Sequence, residues 1–288
     1  MCRRADALGL VPSTGDLARR WFPGGSKQVR PYPAFLGQPC DMFVPTGDLQ
    51  ILDIHRKTAF TFDAQGRMIH ESAPDQSPGR RFSLAGCRDG NLAVVRADVP
   101  SPVARDLDCL VASEPPLANP ESDPVHREAY RDLLAVPVTS VEDFHGLLWV
   151  FPGPLTYVTP TELVLSGTSE GNKLLDRLDD AMPASLIDKG FRRSEDFWEP
   201  WCVALVSGKI ASIAETVRTG SGGAEVGIDT ALDFRGRGLG AAATAGWSRH
   251  PDLRQVNRFY STGRENTSSR RLAERLALRF LGSTFAVQ

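Results

Sequence analysis

From residue 160 onward, apolar and polar positions fall into short blocks that switch between a period of two and a period near four. "TELVLSG" predicts a strand, and "EGNKLLDRLDDAM" predicts a helix with Leu174, Leu175 and Leu178 on one face. "WCVALVSGKIASIAETVR" predicts two strands joined by a turn at Ser207 and Gly208, and "AEVGIDTALDF" a further strand. Then come a helix in "LGAAATAGWSR", a strand in "RFYSTG", a helix in "NTSSRRLAERLAL" and a last strand in "FLGSTFAV". Upstream, residues 41 to 110 carry short β-like runs. "TAFTFDAQGRMIHES" predicts a hairpin around its "DAQG" turn, and "GNLAVVRADV" another strand. "ASEPPLANPESDPVHRE" is rich in Pro and acid with no apolar period, which predicts a linker or exposed loop. "HGLLWVFPG" predicts a strand ended by Pro152 and Gly153. Residues 1–40 have no sustained period and are expected to form an extension. The expected division is thus that extension, a β-rich α+β domain over 41–110, a linker with connecting strands over 111–159, and an α/β domain over 160–288.

Composition narrows the function classes. The chain has 288 residues, 41% hydrophobic and 24% charged, enough apolar material for a sizeable core. A formal net charge of −2 gives no global attraction to nucleic acid. No apolar run has the length of a membrane helix, and the first twenty residues do not read as a secretory signal. Cys2, Cys40, Cys87, Cys109 and Cys202 are scattered and odd in number, which predicts reduced thiols in a cytoplasmic protein. His55, His70, His126, His145 and His250 lie neither four apart nor beside cysteines, so no metal site is expected.

One stretch carries chemistry: "DFRGRGLGAAATAGW", residues 233–247, a glycine-rich, basic loop between a predicted strand and a predicted helix. The first amides of a helix lack internal partners and sit at the positive end of its dipole, so such a loop can bind a phosphate. Gly236, Gly238 and Gly240 would let the main chain approach the anion, with Arg235 and Arg237 adding charge. The plain alternative is a tight connection with solvated arginines. No Gly-Lys-Ser/Thr triplet occurs, which removes a P-loop, and glycines spaced one and one do not fit the dinucleotide fingerprint.

Arg235-Gly236-Arg237-Gly238-Leu239-Gly240 resembles the Arg/Gln-x-x-Gly-x-Gly/Ala motif of acyltransferases of the GNAT superfamily. "NTSSRRLAERLAL" resembles that superfamily's later segment, in which an Asn opens a helix. "AEVGIDTALDFRGRGLGAAATAGW" and "FYSTGRENTSSRRLAERLAL" together look like a bacterial subgroup with an extra N-terminal region, which "FTFDAQGRM" also resembles. The resemblance implies a mixed, mostly antiparallel sheet flanked by helices, with acetyl-CoA as cofactor. Gly236 to Gly240, with Arg235 and Arg237, would hold the diphosphate. The strand around Ile228, Thr230 and Leu232 would splay from its neighbour and pair with the pantetheine arm. Asn266 would meet the pantetheine and Ser269 lie beside the cofactor, although Asn266 also suits a helix cap.

The implied reaction is attack of a primary amine on the thioester, for which a base must free the amine of its proton. Glu225, opening the splayed strand, is the first candidate and Glu215 the second, each with a solvent-facing or ion-paired role as its plain alternative. The chain departs from the pattern at Ala273, where such enzymes often carry a tyrosine acid, leaving Tyr260 and Ser269 as substitutes. Trp247 is expected as a core anchor. A second departure is the single closing strand, whose partner would come from the N-terminal region or another subunit, or would not be needed; strand exchange would make a homodimer. The expected acceptor is a small-molecule amine, with no nucleic acid or membrane as partner. The competing readings are a silent acyl-CoA-binding module and an acyltransferase acting on a protein amine.

Overall fold

The computed structural model describes residues 47–135 and 143–288, so the expected 1–40 extension, with Cys2 and Cys40, lies outside the described residues. Helix α1 (Asp48–Ala59) runs directly into a hairpin of β1 (Phe60–Phe62) and β2 (Met68–Glu71). The Asp63 carboxylate closes its turn, accepting from the amides of Gln65 and Arg67 at 2.9 and 2.8 Å. Next come β3 (Phe82–Cys87), β4 (Gly90–Val95), α2 (Ser101–Ser113), α3 (Arg127–Leu133) and β5 (Phe144–Val150). The chain continues through β6 (Glu162–Leu165), α4 (Ser169–Asp180), the short α5 (Ala184–Ile187), β7 (Trp201–Val206), β8 (Lys209–Gly220) and β9 (Gly223–Thr230). It ends with α6 (Leu239–Ser248), β10 (Asn257–Gly263), α7 (Thr267–Arg275) and β11 (Arg279–Val287).

The strands and helices expected after residue 160 are all present, and so is the upstream hairpin. Helices α1 and α2 stand in the region that the pattern assigned to strands. In α1, "DLQILDIHRKTA", the buried positions Asp48, Leu52, His55, Thr58 and Ala59 keep a helical spacing, but three of them are polar, so the apolar residues alone do not show the period. Helix α2 opens with proline in its first turn and turns Ala104 and Leu107 inward.

Nine strands form one sheet in the order β4-β3-β11-β5-β10-β9-β8-β7-β6, and β9 with β10 is the parallel pair. The division of the chain at 110 and 160 does not divide this sheet. β3 pairs with β11 from Gly86↔Ser283 to Phe82↔Val287, and β5 lies between β10 and β11. The closing strand therefore finds its partners in the upstream half of the same chain.

Neighbouring residues point to opposite faces. On the back face Trp149 and Tyr260 meet α6 and α7 in one cluster, which includes Ala241, Ala245, Trp247 and Leu276. On the front face Leu148 and Phe259 pack with Leu52 of α1. Every residue of α6 is buried, and its small side chains let it lie close to the strands beneath. Trp247 is fully buried and donates from Nε1 to Thr216 Oγ1 at 3.0 Å, the anchoring role expected of it.

Candidate functional site

The parallel ladder is short: Asn257↔Gly223, Arg258↔Ala224 and Phe259↔Glu225. Beyond it, β9 keeps pairing with β8 as far as Thr230, and β10 with β5 as far as Gly263, so β9 and β10 part into a wedge. The Ala231 amide donates to Ala211 O on β8 at 3.0 Å. Alternation then turns the main-chain groups of Thr230, Ile228 and Val226 toward the wedge. The Thr230 carbonyl accepts from Arg235 Nε at 3.2 Å.

The glycine loop lies at the end of β9. Gly236 and Gly238 hold left-handed backbone, φ 74° and 79°, and Gly238 caps α6. Among the described residues, the amides of Gly236, Arg237, Gly238, Leu239, Gly240 and Ala241 donate no hydrogen bond; Ala242, to Gly238 O at 3.0 Å, is the first that does. Such a row of free amides at a helix start forms a cradle of the kind that can receive an anion. A Cβ at Gly236 would meet nothing within 4 Å, whereas one at Gly238 would lie 2.6 Å from the Tyr157 hydroxyl. Tyr157 thus borders the cradle from a segment without motif, and no sequence signal marks it.

The other residues of the loop and of α7 take varied positions. Arg235 reaches back to β9, and the Arg237 guanidinium lies 5.4 Å from the Phe234 ring centre. Leu239 is buried in the core, and Leu232 is 71% exposed. Asn266 caps α7, its Oδ1 accepting from the Ser269 amide at 3.1 Å. Ser269 is buried beside Tyr260, and its influence on that hydroxyl opposes the upward push of burial.

A cavity of about 1200 Å³ opens where the wedge meets the front face. His55 of α1, Glu71 and Asp75 at the hairpin, the 187–193 connection and strands β8, β9 and β10 line it. Glu225, Glu215, Tyr260 and Ile228 all reach it. Glu225 is 2% exposed and Arg218 Nη1 lies 3.2 Å from its Oε2. His55 Nε2 is 3.5 Å from that same oxygen, and the Ser261 hydroxyl donates to Oε1. Arg218 continues to Glu71 at 2.7 Å. Burial alone would raise the Glu225 carboxyl; the Arg218 guanidinium, with His55 and Ser261, overrides it and holds the group well below the usual carboxylate range. Glu225 is therefore ionised but a weak base.

Glu215 sits opposite Gly227 of β9, and its Oε2 accepts from the Trp198 amide at 3.0 Å. Tyr260 is buried, which pushes its hydroxyl up to about 12 against the opposing pull of Ser269, so it stays protonated at neutral pH. Its ring stacks on Trp149 at 5.9 Å. Ala273, where the family resemblance puts a tyrosine, is wholly buried in the back-face core. His55, Glu71 and Arg218 were missed by sequence reasoning; Glu71 and Arg218 meet across 147 residues, and no local pattern encodes such a contact.

Among the described residues no group of three or more His, Cys, Asp or Glu side chains could hold a metal ion, and no helix is long and apolar enough to cross a membrane. No family model matches the chain, and no curated protein does. Among solved structures it is similar to a candidate GNAT-family acetyltransferase from Novosphingobium aromaticivorans, at 21% identity and a TM-score of 0.37, over 51% of this chain and 64% of that one. The match thus spans a little under two-thirds of the Novosphingobium chain. A GCN5-related N-acetyltransferase-like protein from Streptococcus suis is 19% identical over 74% of this chain and 86% of that one, TM-score 0.41. A GNAT-family acetyltransferase from Colwellia psychrerythraea is 12% identical over 84% and 96%, TM-score 0.40. Likenesses this distant do not reach residue roles.

Proposed function

We propose that this chain is an acyl-CoA-dependent N-acyltransferase that moves an acetyl group from acetyl-CoA to a primary amine of a small molecule. One observation carries the reading: an unbonded row of amides at the start of α6 stands beside a wedge that opens into a charged cavity. The residues present fit the cofactor. The amides of 236–241 suit a diphosphate, Gly236 leaves room for it, and the edge of β9 at Ile228 and Thr230 faces the wedge as an added strand would require. When bound, coenzyme A supplies an acyl group activated as a thioester.

The chain's own residues divide the remaining work. Glu215 takes the proton of the incoming ammonium, since Glu225 is held too acidic to do so. Glu225 and Arg218 form a fixed buried pair that keeps the front of the wedge polar and in place. Tyr260 keeps its proton at neutral pH and can give it to the departing sulfur, the task for which α7 has no tyrosine. The front cavity suits a polar amine: Glu71, Asp75, Glu215 and Glu225 line it, and buried atoms of His55, Asp75 and Arg218 in its lining have no hydrogen-bond partner among the described residues.

The silent acyl-CoA-binding module keeps one observation in its favour, the burial of Ala273 at the position of the usual acid. Incubation with acetyl-CoA and a panel of amines, following free thiol, separates the two. Amine-dependent thiol release supports the enzyme. Tight binding of coenzyme A without turnover on any amine would leave the module.

A further inference from the structure

Thr262 on β10 is 6% exposed, and its Oγ1 is buried without a hydrogen-bond partner among the described residues. It pairs with Leu147 of β5 and lies two residues from Tyr260, hence on the same back face. Its free strand edge is the wedge, because pairing with β9 ends at Phe259. The unpartnered atoms of His55, Asp75 and Arg218 belong to the charged front of the cavity; Thr262 alone of that group stands on the cofactor's side. Native proteins seldom keep a buried hydroxyl unpaired unless something else satisfies it. Valine has the same shape and would fill this position in a strand with no such cost.

We infer that the Thr262 hydroxyl donates a hydrogen bond to a carbonyl oxygen of the acyl-pantetheine arm lying in the wedge, an inference that rests on the function proposed above. Thr262 then binds the cofactor from β10 while the main chain of β9 holds it from the other side. The bond forms only with ligand present, so the hydroxyl contributes nothing favourable to the free protein.

The test compares wild type, Thr262→Val and Thr262→Ser by thermal unfolding without ligand and by calorimetric titration with acetyl-CoA. Adenosine 3′,5′-bisphosphate, which has no pantetheine, serves as the control ligand. The valine variant should unfold at or above the wild-type temperature yet bind acetyl-CoA about fivefold more weakly, the effect of one hydrogen bond. The serine variant should bind as wild type, and the bisphosphate should not distinguish the three. Equal acetyl-CoA affinity in the valine variant, or a lower unfolding temperature without ligand, overturns the inference. Wild-type protein that binds no coenzyme A removes the proposed function as well, so the two failures are told apart.

Discussion

Glu225 and Glu215 are both carboxylates on adjacent strands facing one cavity, and their neighbours give them different work. Breaking the Glu225–Arg218 pair leaves the buried guanidinium with Glu71 alone as counter-charge, so Glu225→Gln should cost about 3 kcal/mol of stability, read by urea denaturation. Glu215→Gln should instead lower kcat about a hundredfold with nearly unchanged unfolding and coenzyme A affinity. Equal turnover in that variant would remove Glu215 from the reaction. The pH dependence has a definite sign at each end. Glu225 has a depressed folded value, so its contribution is complete above its ordinary 4.5 and drains away as the pH falls below it. Cys202 and Tyr260 are raised by burial from 9.0 and 10.0 to about 12, so their contribution is complete below about 9 and is lost as the pH climbs toward 12. Unfolding titrations monitored by fluorescence should show stability falling at both ends, and Cys202→Ala should soften the alkaline fall.

Elements whose apolar period is clean were legible in the sequence: the hairpin around Asp63, the α4 stripe of Leu174 and Leu178, and the strand–loop–helix unit of 223–248. Helix α1 was not, because Asp48, His55 and Thr58 occupy its buried face and mask the period. The free amides were legible for a local reason, since glycines at alternate positions before a helix permit the left-handed backbone that leaves its first amides exposed. The polar chain from Glu71 through Arg218 to Glu225 was not, since its members meet only once the sheet has formed. The cradle itself can be tested at Gly236, where a Cβ touches nothing in the free protein. Gly236→Ala should lose about 1 kcal/mol to its left-handed backbone and weaken coenzyme A binding about tenfold or more. Wild-type affinity there would mean that the amides hold no diphosphate. Gly238 is a less clean probe, because a side chain there also strikes the Tyr157 hydroxyl.

For the molecule as a whole, the telling feature is where β5 goes. Residues 160–288 hold the cradle and both sides of the wedge, yet β10 and β11 are separated by a strand from residues 144–150. Expressed alone, 160–288 would leave β10 with a bare edge and β11 with no neighbour at all, and should show poor amide dispersion by NMR and a tendency to aggregate. Restoring 47–159 should recover a cooperative fold. The placement also bears on how such a protein could diversify. A chimera that imports a different upstream half, to change the acceptor, would carry a new central strand into the sheet. Recombination of the two halves therefore works only between parents whose β5 matches β10 and β11 in register, and novelty in acceptor choice should come sooner from point changes in the cavity lining than from shuffled segments.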